Sequence, residues 1–271
     1  MALTLDHIVI AVKDLEQTIT DYRALGFNVL QGGEHPGRPT YNALVVLADG
    51  AYFELIAWRS PSPGDRWWEL LNQHGDGIVD FALLPPGTAA TVSNAQARGL
   101  AYSGPHDGGR LRPDGERLQW QTARPPSADL PFLCGDLTPR ALRVPEGDAR
   151  VHPNGARGVL SLSIAVEDLD ASLAHYRALL GETQAAHIGT PLVLPGAGAR
   201  VATIALGTTT LVLTQPTQSA APHAAGAQQL ATRGPGPFAA VLGTSSPAAQ
   251  TAPAWGLDQT HGAAIELAVA W

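Results

Sequence analysis

Two side chains near the start of the chain have the types and settings that chemistry needs: His7 in LDHIVIAVKDL and Glu54 in AYFELIAW. Each interrupts an apolar, strand-like run. Because side chains alternate across a strand, His7 is expected on one face with Leu5 and Val9, and Glu54 on one face with Tyr52 and Ile56. A carboxylate on an apolar face is costly unless it meets a cation. An imidazole beside a carboxylate supplies two positions of a divalent-metal site that suits Zn, Fe(II), Mn or Ni. The competing reading makes His7 a hydrogen-bonded core residue and leaves Glu54 solvated at a sheet surface.

A second group flanks the Gly-rich bend GGEHPGRPTYNALVV. His35 and Asn42 are polar and close together there, and an imidazole at such a rim donates, accepts or carries a proton near neutral pH. His35 is therefore a candidate for proton transfer and Asn42 for substrate contact. Gly32, Gly33 and Gly37 read as residues that allow positive φ in the loop. Arg66 and Trp67, in DRWWELL, are candidates for a lid over a ligand, against the alternative that the tryptophans pack a connecting helix on a sheet. Arg112, in RPDG, has the fork geometry to clamp a carboxylate, against the alternative of a solvated hairpin arginine. Nucleophilic and phosphate-loop chemistry find no motif: there is no G-x-S-x-G, GPGPF and PGAGAR lack a lysine, and the single Cys134 reads as a small buried residue.

The elements that must position these side chains come in repeats. AVKDLEQTITDYRAL (11–25) and AVEDLDASLAHYRAL (165–179) align without a gap, each a strand running into a helix, and the slot of His7 is Ser161 in the second copy. Asp14 is the expected N-cap, Gln17 completes a capping box, and Gly26 ends the helix. GFNVLQGGE, YNALVVLA and AYFELIAW come next as strands, the last two joined at Asp49-Gly50, which gives a βαβββ unit. A second unit runs from GIVDFALLP through a helix ending at Gly99 and a hairpin turning at Pro113-Asp114-Gly115 to LPFLCGDL. A third starts at Val159 and closes with a hairpin at Gly207. The fourth is eroded to a short helix near 224–232, the strand FAAVLGT and the strand AAIELAVAW. Repetition at this scale predicts units that bury their faces on one another. We divide the chain into a first half, 1–137, a Pro-rich linker, 138–158, with no periodic pattern, and a second half, 159–271, with the degenerate module at its C-terminal end.

The chain has 271 residues, 15% charged, and a net charge of −7. That balance argues against nucleic acid or an anionic membrane as partner, since both need clustered Lys and Arg. A single cysteine excludes an intrachain disulfide or a thiolate metal cluster. The N-terminus lacks a secretory pattern and no apolar run approaches the ~20 residues of a membrane span, so the expectation is a soluble cytoplasmic protein with a small-molecule ligand.

With D-H-I at the strand start, V-K-D-L at the helix entry and Glu54 in YFELIAW, the sequence resembles the vicinal oxygen chelate superfamily, and more closely its glyoxalase-like branch. GGEHPGRPTYNALVVL (32–47), RPDG (112–115), DLTPR (136–140) and HPNGA (152–156) carry the same resemblance, which spans nearly the whole chain and is strongest over 3–58. It implies an α+β fold: tandem βαβββ modules paired into a curved mixed sheet enclosing a cup, the fourth module degenerate. It also implies metal ligands from the first and last strands of each module. Aligned on apolar residues, Asp80 takes the slot of His7, so the expected metal set is His7, Glu54 and Asp80. Phe132 or Cys134 falls at the slot of Glu54, and the second half offers only Ser161 and Leu211. Glu266 resembles Glu54 in context but has no histidine partner. The implied function is a metalloenzyme of lyase, isomerase or dioxygenase type that stabilises an enediolate or related anion of a small oxygen-rich substrate, with Glu54 and His35 catalytic and Asn42, Arg66, Trp67 and Arg112 binding substrate. The alternative is a metal-free small-molecule binding or sequestration protein of the bleomycin-resistance type. A homodimer is compatible with either.

Overall fold

Asp14 and Asp168 open helices after buried strands, as the repeat predicts. In the computed structural model, which describes residues 2–111, 115–218, 220–221, 224–246 and 254–270, the Asp14 carboxylate accepts from the backbone of Gln17 at 3.0 Å. The Asp168 carboxylate accepts from Asp170 and Ala171. The capping box is only half formed, because the Gln17 side chain turns to Asp21 rather than back to the cap.

The first module consists of β1 (Thr4–Ala11), α1 (Leu15–Ala24), β2 (Leu30–Glu34), β3 (Thr40–Val46) and β4 (Tyr52–Trp58). A connecting helix, α2 (Arg66–His74), leads to β5 (Gly77–Leu84), α3 (Thr88–Ala97), β6 (Ser103–Leu111), β7 (Arg117–Arg124) and β8 (Phe132–Asp136). These strands form one eight-stranded sheet in the order β2-β3-β4-β1-β5-β8-β7-β6. The order reads the same from either edge, so the modules are related by a pseudo-twofold axis between β1 and β5. β1 pairs with β4 in parallel and with β5 antiparallel.

The stretch 138–158, which shows no periodicity in sequence, carries α4 (Arg140–Arg143) and a 3₁₀ turn (Gly147–Arg150) packed on the first sheet. The second half has β9 (Ala156–Ala165), α5 (Leu169–Ala185), β10 (Leu192–Leu194), β11 (Ala199–Leu206) and β12 (Thr209–Pro216), then α6 (Ala225–Thr232), β13 (Gly236–Thr244) and β14 (Ala264–Val269). Its six-stranded sheet, β10-β11-β12-β9-β13-β14, repeats the first through the counterparts of β5 and β8. Among the described residues the outer hairpin is missing. α6 therefore corresponds to the connecting helix α2, not to a helix inside the fourth module. One apolar core runs beneath both halves, joining Ile8, Ile10, Phe53 and Tyr22 to Leu162, Ile164, Leu173 and Tyr176. Among the described residues no helix is long and apolar enough to cross a membrane.

Candidate active site

The ladder between β1 and β5 places the first functional side chain. Leu5 pairs with Leu83 and His7 with Ala82, so Asp6 is an extra residue in the strand, a β-bulge. The bulge changes the face that each neighbour occupies. Leu5 joins the main core with Ile8, whereas Val9 packs with Ile56 and Trp67 on the concave side. The expectation that Leu5 and His7 share a face is thereby corrected: strict alternation fails at the bulge, and His7 lines the cup. The same bulge brings the Asp6 carboxylate to the imidazole, with Asp6 Oδ2 and His7 Nδ1 2.7 Å apart.

Asp6 is fully buried and held by two guanidiniums. Arg140 Nη1 donates to Oδ1 at 2.5 Å and Arg143 Nη1 to Oδ2 at 2.9 Å. Arg143 also bonds Asp136 and the Tyr52 hydroxyl, and the Tyr52 ring stacks on the His7 ring at 4.6 Å. Burial alone would raise the Asp6 pKa. Arg143, the His7 bond and Arg140 outweigh it and hold the carboxyl well below the usual range. An ionised Asp6 makes Nδ1 the donor, which leaves His7 Nε2 pointing into the cavity.

Nε2 there meets Glu54. Val9 pairs with Glu54 across β1 and β4, and Glu54 Oε2 lies 3.5 Å from His7 Nε2. Oε1 accepts from Asn42 Nδ2 at 2.6 Å and lies 3.6 Å from His35 Nε2. His35 is fixed on its other nitrogen by the Thr40 hydroxyl at 2.8 Å. Burial depresses its pKa despite the pull of Glu54 in the other direction, which keeps the ring neutral near pH 7. Asn42 is held by the Gly33 amide, and Gly32 is what lets it in: a Cβ at Gly32 would fall 1.9 Å from Asn42 Oδ1. At Gly32 the requirement is space rather than positive φ.

These four side chains form one wall of a cavity of about 190 Å³. The opposite wall is aromatic and cationic: Trp67, Phe132, Trp120 and Arg124. Trp67 is buried under α2 against Val9 and Ile56, so it packs a connecting helix and lines the cup at once. Arg66 lies outside this cavity and donates to Val79 O and Asp80 Oδ2, each at 2.8 Å. Arg112 falls outside the described residues.

Asp80 occupies the position predicted for it, since Asp80 pairs with Val9 as Ala82 pairs with His7. Its carboxylate, however, is committed away from His7: Oδ2 accepts from Arg66 and from Trp67 Nε1, and Oδ1 from the Phe81 amide. It does not line the cavity with His7 and Glu54. The register also resolves the other slots. Ala82 pairs with Phe132 as Val9 pairs with Glu54, so Phe132, not Cys134, is the counterpart of Glu54. In the second half Ser163 pairs with Val212, so the counterpart is Val212, one residue from the expected Leu211, which is buried in the core. Glu266 does take that slot in the fourth module, where it is exposed and Ala239 replaces the histidine.

Asp6, His7 and Cys134 each offer a donor atom, all within 4.8 Å of one another, in the one such group among the described residues. Its chemistry fits a cation poorly, because both Asp6 oxygens bond guanidiniums and burial pushes the Cys134 thiol up to about 12. His7 Nε2 with Glu54 Oε2 fits better: the two atoms face the cavity together, and the opposite nitrogen of the imidazole is held by a carboxylate, as is usual for a ligating histidine. The missing signals are Asp6, Arg140 and Arg143. The bulge that turns Asp6 inward leaves no mark on an apolar pattern, and both arginines lie in the aperiodic stretch.

Paired βαβββ modules curled around a cup with an imidazole and a carboxylate on its floor define a vicinal oxygen chelate protein. The chain belongs to the glyoxalase-like domain family, whose model matches residues 5–180. No curated protein matches it in sequence. A hypothetical protein from Staphylococcus aureus has a similar structure, with a TM-score of 0.67 over 98% of this chain and 100% of that one at 11% identity. A mutant 4-hydroxymandelate synthase from Streptomyces coelicolor gives 0.60, over 91% of this chain and 72% of that one at 14% identity. A fusion of a xylose isomerase-like TIM barrel with a 4-hydroxyphenylpyruvate dioxygenase gives 0.54, over 91% and 37% at 16% identity. At these identities the likeness is one of fold.

Proposed function

We infer that this protein is a glyoxalase-like metalloenzyme that moves a proton on a small substrate with two vicinal oxygens. The observation that carries the reading is the 3.5 Å approach of His7 Nε2 to Glu54 Oε2 on the cavity floor, backed by Asp6. His7 and Glu54 would hold the divalent ion, which when bound acts as a Lewis acid toward negative charge developing on the substrate oxygens. Asp6 fixes the tautomer of His7. Asn42 fixes the rotamer of Glu54 by occupying one oxygen. His35 Nε2, neutral and next to that oxygen, takes or returns the proton at the cavity mouth. Trp67 and Phe132 exclude water from the opposite side. The ligand is a small molecule and the compartment the cytoplasm.

A second reading, metal-free binding or sequestration, draws on a specific observation: Phe132 and a fully bonded Asp80 stand where a second ligand pair would be. Two protein ligands are fewer than the three of an ordinary catalytic zinc site. The test is the metal content of protein purified without chelator, together with turnover of a panel of 2-oxoaldehyde adducts and catechols. The metalloenzyme reading expects a bound divalent ion in the wild type, and loss of both ion and turnover in His7→Ala with the fold intact. Ligand binding that is indifferent to chelator, with no turnover on Zn, Ni, Mn or Fe(II), would replace it by the second reading.

A further inference from the structure

Behind the aromatic wall lies a second cavity, of about 400 Å³, which shares Arg38, Asp65, Trp67 and Arg124 with the first and continues to Arg66, Asp80 and Ser127. Two of its polar groups lack a strong partner. The Ser127 hydroxyl is buried with no hydrogen-bond partner among the described residues. Arg124 spreads its guanidinium over the faces of Trp67 and Phe132, with centroids at 4.9 and 4.7 Å, and its nearest carboxylate oxygen, on Asp80, is 3.9 Å away, beyond hydrogen-bond length. That oxygen is already taken by Arg66 and Trp67. Arg124 is thus a cation against aromatic surface, and burial lowers its pKa although Asp80 works the other way. Three guanidiniums against two carboxylates leave this chamber one positive charge. One charge suits a monoanion rather than a dianionic phosphate, and a planar fork suits a carboxylate.

We propose that this chamber is a carboxylate subsite in which Arg124, with Arg38 and the Ser127 hydroxyl, receives an anionic tail of the substrate whose oxygen-rich head lies on His7 and Glu54. The proposal rests on the functional reading above and deepens it by naming a substrate class: small oxo- or hydroxy-acids whose carboxylate is several bonds from the reacting oxygens. The two cavities share Arg38, Asp65, Trp67 and Arg124 in their lining, so a substrate that reaches from one to the other passes Arg124.

The test uses the full-length protein and two probes, 2-oxoglutarate and 2-oxopentanoate, which share a 2-oxo-acid head and differ in the distal carboxylate. Binding is read by tryptophan fluorescence, to which Trp67 beneath Arg124 contributes, and by calorimetry. The wild type is expected to bind 2-oxoglutarate at least about tenfold more tightly, the scale of one desolvated charge-assisted contact. Arg124→Gln is expected to abolish the preference, Arg124→Lys to retain part of it, and Ser127→Ala to reduce it. Equal affinities in the wild type, no binding of either probe, or a preference that survives Arg124→Gln would each overturn the proposal. His7→Ala separates it from the metalloenzyme reading, because it should weaken both probes by the same factor. If the preference persists in His7→Ala and no metal or turnover is ever found, the subsite stands and the enzyme reading falls. Unfolding midpoints of the Arg124 variants guard against loss of fold, since the lysine form keeps charge and bulk.

Discussion

Phe132 stands where the pseudo-twofold axis of the first sheet would place a second Glu54. The ladder fixes this equivalence, since Phe132 lies beside Ala82 as Glu54 lies beside Val9. The ring packs edge-on against His7 at 5.2 Å and tilted against Trp67 at 5.7 Å. A duplicated site has become one with a polar wall and an aromatic wall.

The asymmetry separates two variants that sequence alone would treat alike. His7→Ala is expected to abolish divalent-ion binding, and Asp80→Asn to leave it unchanged, because the Asp80 carboxylate is bonded to Arg66 and Trp67. Metal analysis of the two purified variants decides the point. Loss of the ion from Asp80→Asn would restore the three-ligand set that the sequence suggests.

Asp6→Asn should be among the most destabilising conservative changes in the chain. It leaves Arg143, which is almost fully buried, and Arg140 facing a neutral amide, and breaking a buried charge pair typically costs about 3–5 kcal/mol. Urea unfolding measures the loss. A value under about 1 kcal/mol would mean that the arginines relax to Asp136 alone.

Cys134 makes the pH dependence of stability calculable. Its folded thiol, pushed up to about 12 by burial, lies above the unfolded value of about 8.5, so the folded state keeps a proton that the unfolded chain releases. The contribution is fully present below pH ~8.5 and is lost as pH rises toward the folded value. By linkage the loss amounts to about 2 kcal/mol at pH 10. Wild type should lose that much more stability than Cys134→Ala between about pH 8 and pH 10. The thiol should also resist a disulfide reagent at about pH 8 until the protein opens. Parallel curves for the two proteins would show that the thiol ionises in place.

Gly32→Ala should act through Asn42. The added methyl would collide with Asn42 Oδ1 and displace the amide from Glu54, costing about 1–3 kcal/mol of stability and lowering turnover. Asn42→Ala in the same chain removes the obstacle, so the double variant should be more stable than additivity allows, while turnover stays low. Simple additivity in a double-mutant cycle would deny the contact its role.

The periodic part of this structure was legible in the sequence. The βαβββ order and the Asp14 and Asp168 caps come from alternation and turn chemistry, the eroded fourth module from analogy with the other three, and the setting of His7 and Glu54 in the cup from the family resemblance. The rest depends on events that break the period. The bulge at Asp6 separates Leu5 from the face of His7, and register alone decides between Phe132 and Cys134, or between Val212 and Leu211. Asp80 shows a further limit: sequence can place a residue in the right slot but not say which neighbours have already claimed its oxygens.

Arg140 and Arg143 lie beyond the last strand of the first sheet, yet they neutralise the carboxylate behind His7. Past them, His152 Nε2 donates to Val46 O while its Nδ1 accepts from the Asn28 amide, and Asn154 Nδ2 donates to Leu25 O. A fragment cut after the eighth strand would therefore contain every side chain of the candidate pair and none of the counter-charges that orient it. For anyone wishing to transplant this cup, the smallest piece that keeps these contacts extends through residue 154 and includes the connector that holds Asp6 in place.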